Sequence, residues 1–279
     1  MATATGPRIG HRQLWIFFAL TYALSWLFWV PVALSGQDPT ASLWAIPFLL
    51  GGFGPSIAGI IMTYRTADRA DRRDFWQRFT GFRRISAGWY LFMLLVFPVV
   101  FGLTVLLTAL LGQPLPGFEG ATAVGASPLS LVGMVVLGVI TGPLSEELGW
   151  RGYALDQLQH RWRPLVASLL LGPAWWAWHL PLFFIKNTTH YRWGVGTAQF
   201  WLFLVAVFPL SVLMTWAYNE NGRSILSAVL FHFAYNFTLG LVYPIPALAA
   251  SLQIVLLSAV AAGIVALRGD RSRNPLPGR

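Results

Sequence analysis

Three short residue patterns, set in a chain of apolar segments, have the types and spacing to do chemistry. The first is Ser145-Glu146-Glu147-Leu148-Gly149-Trp150-Arg151, which follows the uncharged run LVGMVVLGVITGPL. The second joins Trp175 to His179, and the third joins His232 to Asn236. On a helix, residues i and i+4 share a face, so each pair works as one unit. Glu147 and Arg151 have the same spacing with the acid N-terminal, which suits an ion pair. Glu146 points about 100° away from Glu147. One carboxylate is therefore neutralised by Arg151 while its neighbour stays available.

Hydrolysis of an amide needs a base to activate water, donors for the developing oxyanion, and a proton for the leaving amine. Glu146 is the base in this reading. His179 holds the same water or passes the proton on. His232 and Asn236 offer two donors from one helix face, and Trp175 places an indole beside the His179 imidazole. A second arrangement uses the same groups to bind a single Zn²⁺ through His179, His232 and Glu146, with a position open for water. The histidines lie far apart in sequence and no H-E-x-x-H is present. Spacing therefore leaves the metal open. Each residue alone has a blander reading. A Glu–Arg pair can be a packing device, a histidine can bond a carbonyl, and an asparagine on a span is commonly interhelical glue.

The elements that must position these groups are membrane helices. The 279-residue chain is 56% hydrophobic and only 10% charged, where a soluble domain is nearer 25% charged. It has no cysteine, so disulfides, thiolate catalysis and cysteine-based zinc sites are excluded. Eight apolar spans are expected, at about 13–35, 43–64, 87–111, 129–158, 165–185, 196–218, 224–242 and 247–267. The fold class is all-α: a polytopic membrane helix bundle, residues 1–279 forming a single integral membrane domain with its catalytic core at about 129–242. The first apolar run, Leu14 to Leu34, reads as a retained helix, since it is longer than a signal-peptide core.

Nineteen Lys and Arg against ten Asp and Glu mark the cytoplasmic face of a membrane protein here, and no nucleic acid. With both termini cytoplasmic, the basic residues divide 17 inside (Arg8 and Arg12, seven arginines from Arg65 to Arg84, Arg151, Arg161, Arg163, Arg223 and four from Arg268 to Arg279) against Lys186 and Arg192 outside. The positive-inside rule decides for that orientation in the cell membrane. Loop 65–86 reads as an amphipathic helix lying on the membrane surface. Measured from the cytoplasmic ends at 1.5 Å per residue, Glu146 lies about 18 Å deep, His179 about 21 Å, His232 about 12 Å and Asn236 about 18 Å. Ionisable groups at such depth are costly and usually mark function. They imply one polar chamber, expected to be reached from the cytosolic half.

At these residues the sequence resembles the CPBP intramembrane proteases (Abi family), which include the type II CAAX prenyl endopeptidases and bacterial relatives tied to bacteriocin self-immunity. Their pattern E-E-x-x-x-R matches Glu146, Glu147 and Arg151. Their aromatic-x-x-x-H matches Trp175 and His179, with Trp where Phe is usual, and H-x-x-x-N matches His232 and Asn236. FGPSIAGIIMTY is a weaker echo. The resemblance implies an eight-helix bundle with a chamber open toward the cytosol. It also implies cleavage of a membrane-associated peptide or protein, with Glu146 activating water. The family is often called metalloprotease; a metal-free glutamate-activated water is the competing account. Two other functions fit a polar chamber: a proton-coupled transporter with Glu146 and the histidines as its relay, and a non-catalytic immunity or scaffold protein.

Overall fold

A computed structural model describes residues 11–268. The expected placement of both termini, with Arg8, Arg271, Arg273 and Arg279, lies outside them. The described residues are helical, with no strand among them. The helices are α1 (His11–Ser35), α2 (Ala45–Gly52), α3 (Gly54–Thr66), α4 (Arg69–Thr80), α5 (Ala87–Leu110) and α6 (Glu119–Ala126). Then come α7 (Pro128–Gln159), α8 (Pro164–Trp178), α9 (Thr189–Trp193), α10 (Ala198–Glu220), α11 (Ile225–Val242) and α12 (Ala247–Arg268). Seven helices among the described residues are long and apolar enough to cross a membrane, or eight when α2 and α3 count as one span bent by 46°.

The surface is apolar, as a lipid-facing surface must be. On α5, Leu91, Leu94, Val99, Leu103 and Leu106 are exposed. Phe97, Val100, Phe101, Thr104 and Thr108 on its other side are buried. In water such a stripe costs about 25 cal/mol per Å²; against acyl chains that cost vanishes.

The bend at Phe53 brings α3 against α7. Gly51 lies under the Trp29 indole and Gly54 against Ser25. The Ser56 hydroxyl then donates to the Leu144 carbonyl at 2.9 Å. One turn on, a Cβ at Gly59 would sit 2.7 Å from the Cα of Gly149, and a Cβ at Gly149 would strike the Pro55 carbonyl. This backbone-to-backbone approach fixes the α7 turn that carries the two glutamates. Gly149→Leu is expected to push α3 away and cost about 3 kcal/mol, the upper part of the overpacking range. The measurement is the fraction of monodisperse protein left after heating.

Chain direction alternates through the spans, so the connectors fall into two sets. Hydrogen bonds tie each set together. Gly117 N–H donates to Pro244 O at 2.9 Å, and Asn187 Nδ2 donates to Thr40 Oγ1 at 3.0 Å. Connectors 36–44, 111–127, 185–197 and 243–246 therefore share one face. At the other end Arg84 Nη1 donates to Gly222 O at 3.1 Å. Connectors 67–86, 160–163 and 221–224 form this arginine-rich face. The helix expected in loop 65–86 is present as α4, started by Asp68, whose carboxylate accepts from the N–H groups of Ala70 and Asp71. It does not simply lie on the membrane. Phe75 and Arg78 are buried in the bundle, because Phe75 packs over Gly152, where a Cβ would meet its ring at 3.0 Å.

Candidate active site

The glutamates sit between two irregular turns of α7. Pro143 has no N–H to continue an α-helix, and a wider π turn over Ile140–Leu144 absorbs it. A second π turn covers Trp150–Leu155. Such turns re-aim side chains and recur at functional sites. Between them Ser145, Glu146, Glu147, Leu148 and Gly149 are all buried.

The carboxylates have different partners. Glu147 accepts from Arg151 Nη1 at 2.9 and 3.1 Å, and both side chains are wholly buried. It also meets His232 Nδ1 at 2.8 Å. Sequence spacing indicates the first contact; the second joins residues 85 positions apart and is not visible in it. Glu146 faces the other way and accepts from Trp175 Nε1 at 2.6 Å. The same indole packs edge-on to His232, ring centres 5.2 Å apart, and lies under the Arg151 guanidinium at 4.9 Å. Trp175 therefore links all three motifs, more than a wall beside His179.

His179 closes the C-terminus of α8. Its Nδ1 lies 2.8 Å from the Trp175 carbonyl. A carbonyl only accepts, so Nδ1 carries a proton and Nε2 remains for other work. Asn236 lies beside α7: a Cβ on Gly142 would come within 3.2 Å of its amide nitrogen.

Glu146, Trp175, His179, His232 and Asn236 line one cavity of about 260 Å³. The structure thus gathers all the residues that sequence spacing singles out around one hollow, with Glu147 and Arg151 directly behind it. The cavity also takes in His190, which sequence reading misses. His190 stacks on His179, ring centres 5.2 Å apart. Its only signal was to be one of five histidines, in a connector that looked external.

Metal capacity differs from expectation. Ligand atoms of Glu146, Glu147 and His232 lie within 4.8 Å of one another. His179 does not belong to this group, because its ring is drawn to the end of α8 by the Trp175 carbonyl. By distance the three could hold a cation. By chemistry they fit zinc poorly, since Glu147 is already shared by a guanidinium and an imidazole. That leaves fewer than the three free protein ligands of a catalytic zinc site.

The cavity's lining runs from Glu146 to Thr189, His190 and Trp193 of α9 and to Gly240 and Tyr243 at the end of α11. The arginine-rich end holds a buried charge cluster that hydropathy does not flag. Arg78 Nη1 donates to Asp156 Oδ2 at 2.7 Å and to the Tyr218 hydroxyl at 2.6 Å. Tyr218 donates to Asp156 Oδ1 at 2.7 Å, and Arg223 pairs with the same carboxylate.

A family model described as type II CAAX prenyl endopeptidase Rce1-like matches residues 128–238, the segment that holds Glu146, Trp175, His179, His232 and Asn236. The CAAX prenyl protease 2 of Methanococcus maripaludis is 28% identical over 225 residues, spanning 79% of this chain and 82% of that protein.

Proposed function

From a chain that is a membrane relative of the type II CAAX prenyl endopeptidases, and so a protease, we propose an intramembrane endopeptidase in which Glu146 activates the attacking water. The observation that carries the reading is the division of labour between adjacent glutamates. Glu147 is held by Arg151 and His232, whereas Glu146 accepts a hydrogen bond from the Trp175 indole and lines the cavity.

The steps follow from the donors and acceptors present. Glu146 takes a proton from water as the oxygen adds to the peptide carbonyl. The new oxyanion accepts from the Asn236 amide and from Nε2–H of His232 in its imidazolium form, which the Glu147 carboxylate supports. Collapse breaks the C–N bond, and the proton held by Glu146 passes, directly or through His179 Nε2, to the leaving amine. If a cation were held by Glu146, Glu147 and His232, it would polarise the carbonyl and acidify water.

The substrate is a membrane-associated peptide or protein, of lipidated CAAX type by analogy with the M. maripaludis protein. An apolar cleft supports a lipid-bearing substrate. It runs between α10, α11 and α12 and shares Phe203, Tyr235 and Leu239 with the catalytic cavity. The chain acts as a single integral domain in the cytoplasmic membrane, its arginine face toward the cytosol. A transporter would need a polar path through the arginine face, which the Arg78–Asp156–Tyr218 contacts obstruct.

The test is cleavage of a fluorogenic peptide, with and without a C-terminal isoprenyl cysteine, by purified protein in lipid. Turnover of the lipidated peptide, unchanged by chelators, is expected. Chelator inhibition reversed by Zn²⁺ would replace the metal-free mechanism, and absence of any cleavage would count against the protease.

A further inference from the structure

We infer that His190 is a positioning residue for the reaction: its imidazole holds the His179 ring so that Nε2 hands a proton to the leaving amine. This rests on the endopeptidase reading and assigns a task to a residue outside the three motifs. Both histidines line the cavity that Glu146 lines. Their rings are stacked, with centres 5.2 Å apart and planes 28° apart. Trp175, Trp178 and Phe203 meet the His179 ring at steep angles instead, 62°, 78° and 89°. The hydrogen bond from Nδ1 to the Trp175 carbonyl, 2.8 Å long, fixes one edge of the imidazole. A ring pinned at one edge can still tilt. A flat partner against its face stops the tilt, and so sets where Nε2 points.

His190 is itself held in place. Phe183, Trp193 and Phe203 surround its ring, with centres 5.1, 5.2 and 5.0 Å away. The helix that carries it, α9, has five residues, too few to keep a helical shape unaided. Thr188 starts it, accepting from the Tyr191 N–H at 3.0 Å and donating to the Leu182 carbonyl at 2.8 Å. Asn187 before it has φ 63°, a left-handed conformation that asparagine enters more readily than most side chains. Its amide donates to Thr40 Oγ1 at 3.0 Å and accepts from Arg192 Nη2 at 2.8 Å. These contacts tie α9 to connector 36–44, and through it the stack on His179.

The chemistry shows what the stack contributes. When the tetrahedral adduct collapses, the C–N bond breaks and its electron pair stays on nitrogen, which must gain a proton. His179 Nε2 takes the proton that Glu146 removed from water and gives it to that nitrogen. A tilted ring delivers it poorly, because proton transfer needs hydrogen-bond geometry.

His190→Leu roughly keeps the volume and removes the flat face, whereas His190→Phe keeps the face. The measurement is steady-state cleavage of a lipidated peptide by variants in lipid. His190→Leu is expected to lower kcat about tenfold with KM unchanged, near the upper end of what one ring pair contributes, and His190→Phe to recover most of it. The second substrate is the same lipidated sequence with a nitrophenyl ester at the scissile position. Nitrophenolate leaves without a proton, so His190→Leu should cleave the ester at the parental rate. Asn187→Ala, at the exposed clamp, loosens α9 without touching the cavity and should show the same split between peptide and ester. Parental peptide turnover in His190→Leu, equal loss in the Leu and Phe variants, or equal loss on peptide and ester would overturn the assignment. Should His190→Leu melt early, the absence of that split in Asn187→Ala would overturn it. Absent peptide cleavage by the parent protein would instead be a failure of the endopeptidase reading.

Discussion

Glu146→Gln is expected to fold like the parent and to lose peptide cleavage by on the order of 10³-fold in kcat, within the range assigned to a positioned general base. The substitution keeps size and shape. The Trp175 indole, now 2.6 Å from Glu146 Oε2, still finds a carbonyl oxygen to donate to. The neighbouring contacts of Glu147 with Arg151 and His232 are untouched. What disappears is the ability to accept a proton from water. KM should move little, because the cavity walls that hold substrate remain, and a loss in kcat alone marks an interaction made in the transition state. Glu146→Asp should recover part of the rate, since it restores a base but draws it back from the indole. The measurement is steady-state kinetics on protein whose melting temperature matches the parent. Equal turnover by parent and Glu146→Gln would remove Glu146 as the base.

The spans and the three motifs were legible in the sequence because both depend on local rules. A run of apolar residues long enough to cross lipid declares itself by length, and residues i and i+4 share a face on any helix. The eight expected spans fall within a few residues of the helices found. What could not be read depends on contacts between distant segments. His232 meets Glu147 across 85 positions. In sequence Asp156 is a single acid near the end of a span, yet it gathers Arg78, Tyr218 and Arg223 from three other places. Depth along a helix locates a residue between the two faces but says nothing about which face is open. The short helices α6 and α9 fall between the expected spans, each with too few residues to show a helical period. The bend at Phe53 likewise requires Trp29 and Ser25 from α1 to explain why glycine stands at Gly51 and Gly54.

Arg151→Ala is expected to be the most damaging single change for folding, at about 3–5 kcal/mol, the cost of leaving a buried charge without its partner. Glu147 and Arg151 are both fully buried and 2.9 Å apart, so no water replaces the guanidinium. The loss extends further, because Arg151 also lies over the Trp175 ring that donates to Glu146. The expected result is little monodisperse protein and a lowered melting temperature. A stability effect alone would not show what the pair contributes to chemistry, and a double variant separates the two. In Glu147→Gln combined with Arg151→Met, both charges go and the volume is roughly kept, a replacement that is often neutral for folding. Folding should return. Cleavage should stay depressed, on the order of 10²–10⁴-fold, because His232 has lost the carboxylate that orients its ring and supports its charge. Full activity in the double variant would assign the pair to packing alone. Parental expression, melting and turnover in Arg151→Ala would show that Glu147 does not need this partner, and with it the distinction between the two glutamates would go.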